Sequence, residues 1–282
     1  MADVFISYSR TDIAFARLIR DALQLNHVET WIDWARIPVG ARWWPEICGA
    51  IAESTVFMTI LSRASLRSGV CRDEINEALT NNKRIIPVLL DDLTPGNIGE
   101  FAPELPQVNW IVFRRDHCFR LEEAPGVESE PTEDHQVALP LPQFEAALAE
   151  LDTAIHTDWD WVRYHTHLQV RALHWESRAK STRFLLQEGD LDEAEQMLAR
   201  AASRDPRPTF LQLEFVRGSK ELTLAASPRW WRKDEESSRF APDHELVCVN
   251  CAYSYTFTPS EHLPIPSRCQ ECGFEGRGRF AQ

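Results

Sequence analysis

Short, continuously apolar runs alternate with amphipathic stretches along the first part of the chain. The apolar runs fall at residues 4–8, 30–32, 56–61, 84–90 and 109–113. Between them, apolar residues recur at intervals of three and four, as on the buried face of a helix, over residues 12–25, 45–54 and 71–82. Apolar runs without polar alternation are typical of strands that are buried on both faces. This order of elements predicts an α/β domain, a flavodoxin-like five-stranded parallel sheet with helices on both faces.

The carboxyl ends of the predicted strands carry polar and charged side chains. Ligands of doubly wound sheets bind at these ends. We therefore expect the functional site among the residues that follow the first four strands: Ser7, Tyr8, Ser9, Arg10, Asp33, Trp34, Leu61, Ser62, Asp91 and Asp92.

The pattern changes after the predicted sheet. Residues 121–141 hold six acids, three prolines and no Lys or Arg, which predicts a solvated, poorly ordered acidic loop. Helical periodicity returns at 142–155 and should close a first domain at residues 1–156. The pattern of residues 157–226 predicts a small all-α segment. Within it, residues 181–201 resemble one tetratricopeptide-like hairpin broken at Gly189 and Asp190. No second copy follows at a fixed period, so a solenoid is not expected.

A polar stretch at 227–243, in which basic and acidic residues balance, predicts a linker to a last unit at 244–282. This unit holds two Cys-x-x-Cys pairs, Cys248 with Cys251 and Cys269 with Cys272, separated by 17 residues. Two such turns bring four thiolates around one tetrahedral zinc ion, and residues 253–258 alternate like a hairpin strand. A redox dithiol is the competing interpretation, but it favours a single pair in a βαβ context. We therefore predict a zinc ribbon whose zinc is structural, since no coordination position stays open.

The remaining thiols, Cys48, Cys71 and Cys118, are expected to be free. The formal net charge of −13 disfavours nonspecific nucleic-acid binding. The ribbon has four acids against three arginines and lacks a basic stripe, so we expect it to contact a protein or a small ligand. No apolar run approaches the ~18 residues of a membrane span, and no basic region leads into an apolar signal core. These features predict a cytoplasmic protein without a membrane partner.

Several familiar catalytic motifs do not occur. The sequence has no G-x-x-x-x-G-K-[ST] loop, no G-x-G-x-x-G after the first strand and no G-x-S-x-G. A phosphoacceptor receiver domain would need an aspartate at the end of the third strand, where Leu61 and Ser62 stand. Nucleotide phosphate loops, serine hydrolase chemistry and phosphoacceptor signalling are therefore not indicated.

Four segments instead carry a family resemblance. They are "DVFISYSR" (3–10), "WIDWARIPVGARWWPEI" (31–47), "LSRASLRSGVCRDEI" (61–75) and "NKRIIPVLL" (82–90). In this order and spacing they resemble TIR (Toll/interleukin-1 receptor) domains of the bacterial, NAD-cleaving type, over about residues 1–156. The helical segment also resembles the region that follows the TIR domain in bacterial proteins with C-terminal propeller or repeat modules. Here the ribbon stands in that terminal position.

The resemblance implies an NAD⁺ nucleosidase, with the glutamate of its Cys-x-x-Glu motif, Glu74, as the catalytic residue. Its substrate pocket would draw on the side chains at the strand ends and on the following helix, namely Ser7, Tyr8, Ser9, Arg10, Asp33, Trp34, Trp43, Trp44, Ser62, Ser68 and Cys71. The resemblance also implies activation by self-assembly, as in immune effectors. Catalytic members often carry Trp four residues before the glutamate; here Val70 stands there, so Trp34, Trp43 or Trp44 would have to cover the nicotinamide.

Helix geometry agrees with this role for Glu74 without requiring it. Cys71, Ile75, Ala78 and Leu79 form a predicted buried stripe, Ser68 is a suitable cap, and Glu74 lies about 60° from Cys71 around the axis. An acid in the first turn is also favoured by the helix dipole alone. A noncatalytic adaptor that acts through TIR–TIR contacts is therefore the alternative. The trigger, which would act through the helical segment or the ribbon, and the linear or cyclic form of the product remain open.

Overall fold

The computed structural model describes residues 2–32, 43–123, 136–226, 231–233, 244–248 and 254–257. In these residues the α-helices are α1 (Ile13–Leu25), α2 (Trp43–Glu53), α3 (Gly69–Thr80), α4 (Pro95–Phe101), α5 (Pro142–His156), α6 (Trp159–Ser177), α7 (Glu188–Ala199) and α8 (Phe210–Ala226). The strands are β1 (Val4–Ser7), β2 (Thr30–Trp31), β3 (Val56–Leu61), β4 (Arg84–Leu89), β5 (Ile111–Val112), β6 (Phe119–Glu123), β7 (Gln136–Pro140), β8 (Trp231–Lys233), β9 (His244–Cys248) and β10 (Ser254–Phe257).

The first five strands form one parallel sheet in the order β2-β1-β3-β4-β5. The predicted flavodoxin-like sheet is therefore confirmed. In the central register Phe5 lies beside Phe57, and Phe57 beside Ile85. All six residues of β3 are buried, as its uninterrupted apolar run predicts. Because the strands are parallel, all their carboxyl ends lie at one edge of the sheet.

Helices cover both faces of this sheet. Phe15 and Ile19 of α1 and Leu151 of α5 belong to the core cluster on one face. Ile51 of α2 and Ile75 of α3 belong to the cluster on the other face, together with residues of α4. Each of these side chains is completely buried. The amphipathic stripes read from the sequence thus fix which side of each helix meets the sheet.

The predicted acidic loop at 121–141 is wrong at both ends. Strands β6 and β7 pair as an antiparallel hairpin, with Leu121 beside Ala138. Phe119 and Ala138 are buried in the same core as α1, and the Phe119 ring lies 4.6 Å from that of Phe15. The two acids of β6, Glu122 and Glu123, are consecutive and both exposed. The alternation that builds the strand comes from Phe119 and Leu121, and the acidic composition of the segment concealed it. Residues 124–135 lie outside the described residues.

The segment at 157–226 is helical, as predicted, but the predicted hairpin break is wrong. Gly189 and Asp190 lie inside the first turn of α7, and residues 181–201 contain one α-helix instead of two. The chain reverses earlier, where Ala179 and Lys180 adopt positive φ angles of 52° and 55°. The buried side chains of Leu185 and Leu186 hold the following extended stretch against α8.

The helical segment packs directly on the α/β domain. Trp161 and Val162 of α6 and Ala201 join the core cluster beneath α1 and α5. Lys83, just before β4, donates from Nζ to the hydroxyl of Thr166 in α6 at 3.2 Å. The predicted domain boundary at residue 156 therefore lies between two helices, α5 and α6, that belong to the same packed core.

Beyond α8, β8, β9 and β10 form an antiparallel sheet in the order β10-β9-β8. The predicted hairpin strand at 253–258 corresponds to β10. The predicted linker is wrong for residues 231–233, which form β8 and pair with β9. Cys248 is the last residue of β9, whereas Cys251, Cys269 and Cys272 lie outside the described residues. None of the helices described is long and apolar enough to cross a membrane.

Candidate functional site

The candidate site lies at the carboxyl edge of the parallel sheet. Ser7 is the last residue of β1, Ser62 directly follows β3, and Asp91 lies two residues beyond β4. Ser7 and Ser62 are buried although their side chains are polar. Buried hydroxyls need hydrogen-bond partners, and each of these two has a carboxylate as its partner.

Helix α3 presents Glu74 to this edge. The helix begins at Gly69, and the Ser68 hydroxyl caps it by accepting a hydrogen bond from the Cys71 backbone N–H at 3.2 Å. Cys71, Ile75 and Ala78 of the predicted stripe are buried, and Leu79 is partly buried against the same cluster. The predicted first-turn position of Glu74 is wrong, because α3 begins at Gly69 and Glu74 lies in its second turn. Glu74 is also buried, with 4% of its surface exposed, so it is not a solvated acid.

Ser7 and Glu74 form a direct pair. The Ser7 hydroxyl donates to Glu74 Oε2 at 2.6 Å across 67 residues of sequence. Burial raises the pKa of Glu74 to about 7, and the hydrogen bond from Ser7 opposes part of that rise. Near neutral pH this carboxyl group therefore exchanges readily between its charged and neutral forms.

Cys71 is a buried neighbour of this pair and is not an activated nucleophile. Burial raises the pKa of its thiol to about 11, with the Glu74 charge acting in the same direction and the hydroxyls of Ser68 and Ser7 opposing it. A thiol with so high a pKa is protonated at neutral pH. Cys48, Cys71 and Cys118 are all free, as predicted.

A second buried carboxylate, Asp12, was missed by the sequence analysis. It precedes α1 but makes no side-chain cap; instead it accepts from the Ser62 hydroxyl at 2.5 Å and from the Arg115 guanidinium. Arg115 also pairs with Asp91 at 3.2 Å, and Asp91 accepts from the Arg63 backbone N–H at 2.7 Å. Burial raises the pKa of Asp12, while Ser62 and Arg115 act to lower it. Ser62 and Asp91 of this network are among the predicted strand-end residues, whereas Asp12 and Arg115, which lies three residues after β5, are not.

The structure brings some of the predicted pocket residues to Glu74 and leaves others apart. Ser7 bonds Glu74 directly, Cys71 is close enough to feel its charge, and Ser68 contacts Cys71, whereas Ser62 bonds Asp12. Tyr8 packs against the core on the opposite face of the sheet, the Ser9 hydroxyl bonds that of Thr11, and Arg10 is exposed.

The predicted aromatic cover is described only in part. Trp44 is partly buried in the core beneath α2, and Trp43 is 43% exposed, with the two rings 5.7 Å apart. Asp33 and Trp34 lie outside the described residues. Val70 is half-buried at the start of α3. Of the three tryptophans predicted to cover the nicotinamide, Trp43 is the one described with an exposed side chain.

Chemically, the Ser7–Glu74 pair supplies one carboxylate in a medium of low polarity with one oriented hydroxyl. Such a carboxylate stabilises a nearby positive charge far better than an exposed one, because little water screens it. Its oxygens are hydrogen-bond acceptors, and one of them accepts from Ser7. The pair is therefore suited to stabilising positive charge on a group bound beside it.

The comparisons with known proteins identify the domain that carries this site. The family model described as TIR domain matches residues 4–124. These residues therefore form a TIR domain, in agreement with the parallel sheet. The match ends before β7 and α5, which complete the same core.

Similar solved structures include TIR-containing proteins at low overall similarity. One is the TIR domains of the activated Roq1 resistosome recognising the effector XopQ, at 25% identity over 36% of this chain and 68% of that chain, with a TM-score of 0.33. Another is the TIR domain of the Toll-related receptor TRR-2 from Hydra magnipapillata, at 18% identity over 40% of this chain and 85% of that chain, with a TM-score of 0.34. A third is a metazoan TIR-STING receptor from C. gigas in complex with 2′,3′-cGAMP, at 16% identity over 91% of this chain and 72% of that chain, with a TM-score of 0.38. No curated protein matches the chain.

Proposed function

We propose that this TIR domain cleaves the nicotinamide–ribose bond of NAD⁺, with Glu74 as the catalytic residue. The observation that carries the proposal is the buried carboxylate of Glu74, held by the Ser7 hydroxyl at the carboxyl edge of the sheet. A glutamate kept for helix stability alone would gain more from an exposed position, since burial disfavours its charge. The resemblance of residues 61–75 to the Cys-x-x-Glu segment of NAD-cleaving TIR domains points to the same residue.

The chemistry of NAD⁺ suits a single carboxylate. Nicotinamide is a pyridinium when bound to ribose and leaves as a neutral base, so its departure needs no general acid. Glycosidases that expel an oxygen leaving group need a second carboxyl group for that purpose. The ribosyl centre becomes oxocarbenium-like, and the Glu74 carboxylate would stabilise it and orient a ribose hydroxyl. Water then completes hydrolysis, or the adenine ring of the same molecule closes a cyclic product.

Trp43 is the described candidate for the surface that covers the nicotinamide, since Val70 supplies no aromatic ring. The resemblance further supports self-association through the TIR domain, as in an immune effector activated by assembly. The helical segment and the ribbon would then receive the trigger, a protein or a small ligand.

Nicotinamide release tests the proposal. The full chain, concentrated to favour assembly, is incubated with NAD⁺ at pH 8, where Glu74 is charged. Wild type should release nicotinamide, and Glu74→Gln should lower the rate at least about 100-fold, because it keeps size and the Ser7 hydrogen bond but removes the charge.

Glu77→Gln is the matched control, one turn further along α3, where the side chain is partly exposed and bonds Asn81. It should cleave NAD⁺ like wild type. Equal release by wild type and Glu74→Gln would contradict the catalytic assignment. Concentration-dependent association with no nicotinamide release would favour the adaptor function.

We also propose one structural zinc ion per chain, bound by Cys248, Cys251, Cys269 and Cys272. The first Cys-x-x-Cys pair begins at the end of β9 and precedes β10, which is where a ribbon places its first metal-binding turn. Elemental analysis should find about one zinc per chain, and Cys269→Ser should lose it. Zinc content unchanged in Cys269→Ser would contradict this ligand set.

A further inference from the structure

A concave site lies on the side of α3 that faces away from Glu74. It is a cavity of about 540 Å³ between the loop after β3, the start of α3 and helix α4. Three arginines line it: Arg63, Arg67 and Arg72. We call this cavity the arginine groove. Its volume falls within the range of about 300–1,000 Å³ that is common for small-molecule sites.

The charge of the groove is positive although the chain as a whole carries −13. Two acids also line it, Asp92 and Glu100. Asp92 is already paired with Arg114, which is not a lining residue, at 3.0 Å. None of the three lining arginines has a carboxylate partner among the residues that the structure describes. Glu100 alone therefore opposes three guanidinium groups, and an anion would remove their mutual repulsion.

The walls of the groove restrict one arginine side chain, anchor the backbone of a second arginine and offer apolar surface. The Arg72 guanidinium lies over the Phe101 ring at 5.3 Å, which restricts its direction. The Arg63 backbone N–H is held by Asp91, so the loop that carries Arg63 is anchored to the end of β4. Leu66 and Leu93 add apolar side chains. A ligand with an anionic end and a flat apolar body matches this lining.

The groove is distinct from the candidate NAD⁺ site. Arg72 precedes Glu74 by two residues, which places the two side chains about 200° apart around the helix axis. Glu74 points to Ser7 of β1, whereas Arg72 points to Phe101 of α4. The body of α3 therefore separates the two sites.

We propose that the arginine groove binds a nucleoside diphosphate. Guanidinium groups bind phosphate oxygens in a bidentate geometry, and two adjacent phosphates match a site with a net charge of about +2. Inorganic phosphate alone would leave most of the 540 Å³ empty. The nucleoside would occupy the part lined by Leu66, Leu93 and the exposed edge of α4. The proposal does not depend on NAD⁺ cleavage.

Calorimetric titration of the full chain with ADP tests it. One ADP should bind per chain, AMP should bind more weakly and adenosine most weakly, because affinity follows the number of phosphates. The double variant Arg63→Gln/Arg67→Gln should lower ADP affinity about tenfold or more. Glu100→Gln should raise it, since it removes the opposing charge. Higher salt should weaken ADP binding to wild type.

Arg17→Gln, an exposed position on α1 across the sheet, is the matched control and should bind ADP like wild type. Thermal unfolding of each variant verifies that it is folded. Absence of ADP binding, adenosine binding as tightly as ADP, or equal affinity in Arg63→Gln/Arg67→Gln would overturn the proposal. So would loss of ADP binding in Glu74→Gln, which would place ADP in the NAD⁺ site.

Discussion

Glu74 shows how one contact decides between two interpretations of the same residue. The sequence predicts Glu74 in the first turn of its helix, which fits both a dipole-stabilised surface acid and a buried functional acid. The helix begins at Gly69, so Glu74 lies in its second turn, where the dipole argument is weaker. The 2.6 Å hydrogen bond from Ser7, which comes from a strand 67 residues away, favours the second interpretation. The helical periodicity predicts the angle of Glu74 around the helix axis. It does not predict that the end of β1 packs beside it, because that contact joins distant parts of the sequence.

The raised pKa of Glu74 predicts that the stability of the protein depends on pH. The folded protein holds this proton up to about pH 7, whereas the unfolded chain releases it near 4.5. Stability from this group is therefore complete below pH 4.5 and is lost as the pH rises to 7. Relative to wild type, Glu74→Gln should gain roughly 3 kcal/mol of unfolding free energy between pH 4.5 and 8. Urea unfolding at both pH values measures it. Glu77→Gln should show no comparable gain, and an equal gain there would contradict the assignment.

If Glu74 acts as proposed, Ser7 should influence the pH dependence of NAD⁺ cleavage. Its hydroxyl stabilises the charged form of Glu74, so Ser7→Ala should raise the pKa of Glu74 further. The acidic limb of kcat/KM against pH should then move to higher pH. Ser9→Ala, which removes a hydroxyl that bonds Thr11 instead, should leave the limb in place. A limb unmoved by Ser7→Ala would show that this hydrogen bond does not act on the reacting carboxylate.

At the scale of elements, the sequence predicts long apolar and amphipathic stretches well and short or charged ones poorly. The parallel sheet and α1, α2, α3 and α5 follow from their apolar pattern. The β6–β7 hairpin did not, because the acids of β6 hid an alternation of few apolar residues. The turn before α7 was placed too late, because Gly189 looks like a breaker although helix N-termini tolerate glycine.

The start of α3 depends on one cap that the sequence predicts correctly. Ser68→Ala removes the acceptor of the Cys71 backbone N–H and should cost about 1 kcal/mol of unfolding free energy. Ser177→Ala, at the exposed end of α6, is the control and should change stability by less than about 0.5 kcal/mol. Urea unfolding at pH 7 compares the two. Equal costs would mean that the cap does not stabilise α3 in the folded protein.

At the scale of the whole molecule, the TIR domain and the helical segment share a polar buried contact. Asn81, at the end of α3, accepts from Gln169 of α6 at 3.3 Å, and the backbone carbonyl of Arg207 accepts from Asn82. The helix that carries Glu74 at one end thus contacts the helical segment at the other. No local pattern in the sequence predicts this contact, since its partners are 88 and 125 residues apart.

Lys83 makes a second buried connection between the TIR domain and the helical segment. Its buried Nζ donates to the carbonyls of Ala52 and Ser54 at 2.6 and 2.8 Å and to Thr166 of α6. Lys83→Met keeps the length of the side chain but leaves these acceptors without their donor. We expect a loss of roughly 1–3 kcal/mol of unfolding free energy at pH 7, measured by urea unfolding. Lys220→Met, which breaks an exposed ion pair with Glu195, should cost far less.

The pH dependence gives this last prediction a second readout. Burial lowers the pKa of Lys83 from 10.5 to about 7, so between these values the folded protein binds fewer protons than the unfolded chain. The stability that this group contributes is therefore complete above pH 10.5 and is lost as the pH falls from 10.5 to about 7. The cost of Lys83→Met should be larger at pH 9 than at pH 7. A cost that is independent of pH, or equal to that of Lys220→Met, would contradict a buried lysine at the centre of the contact.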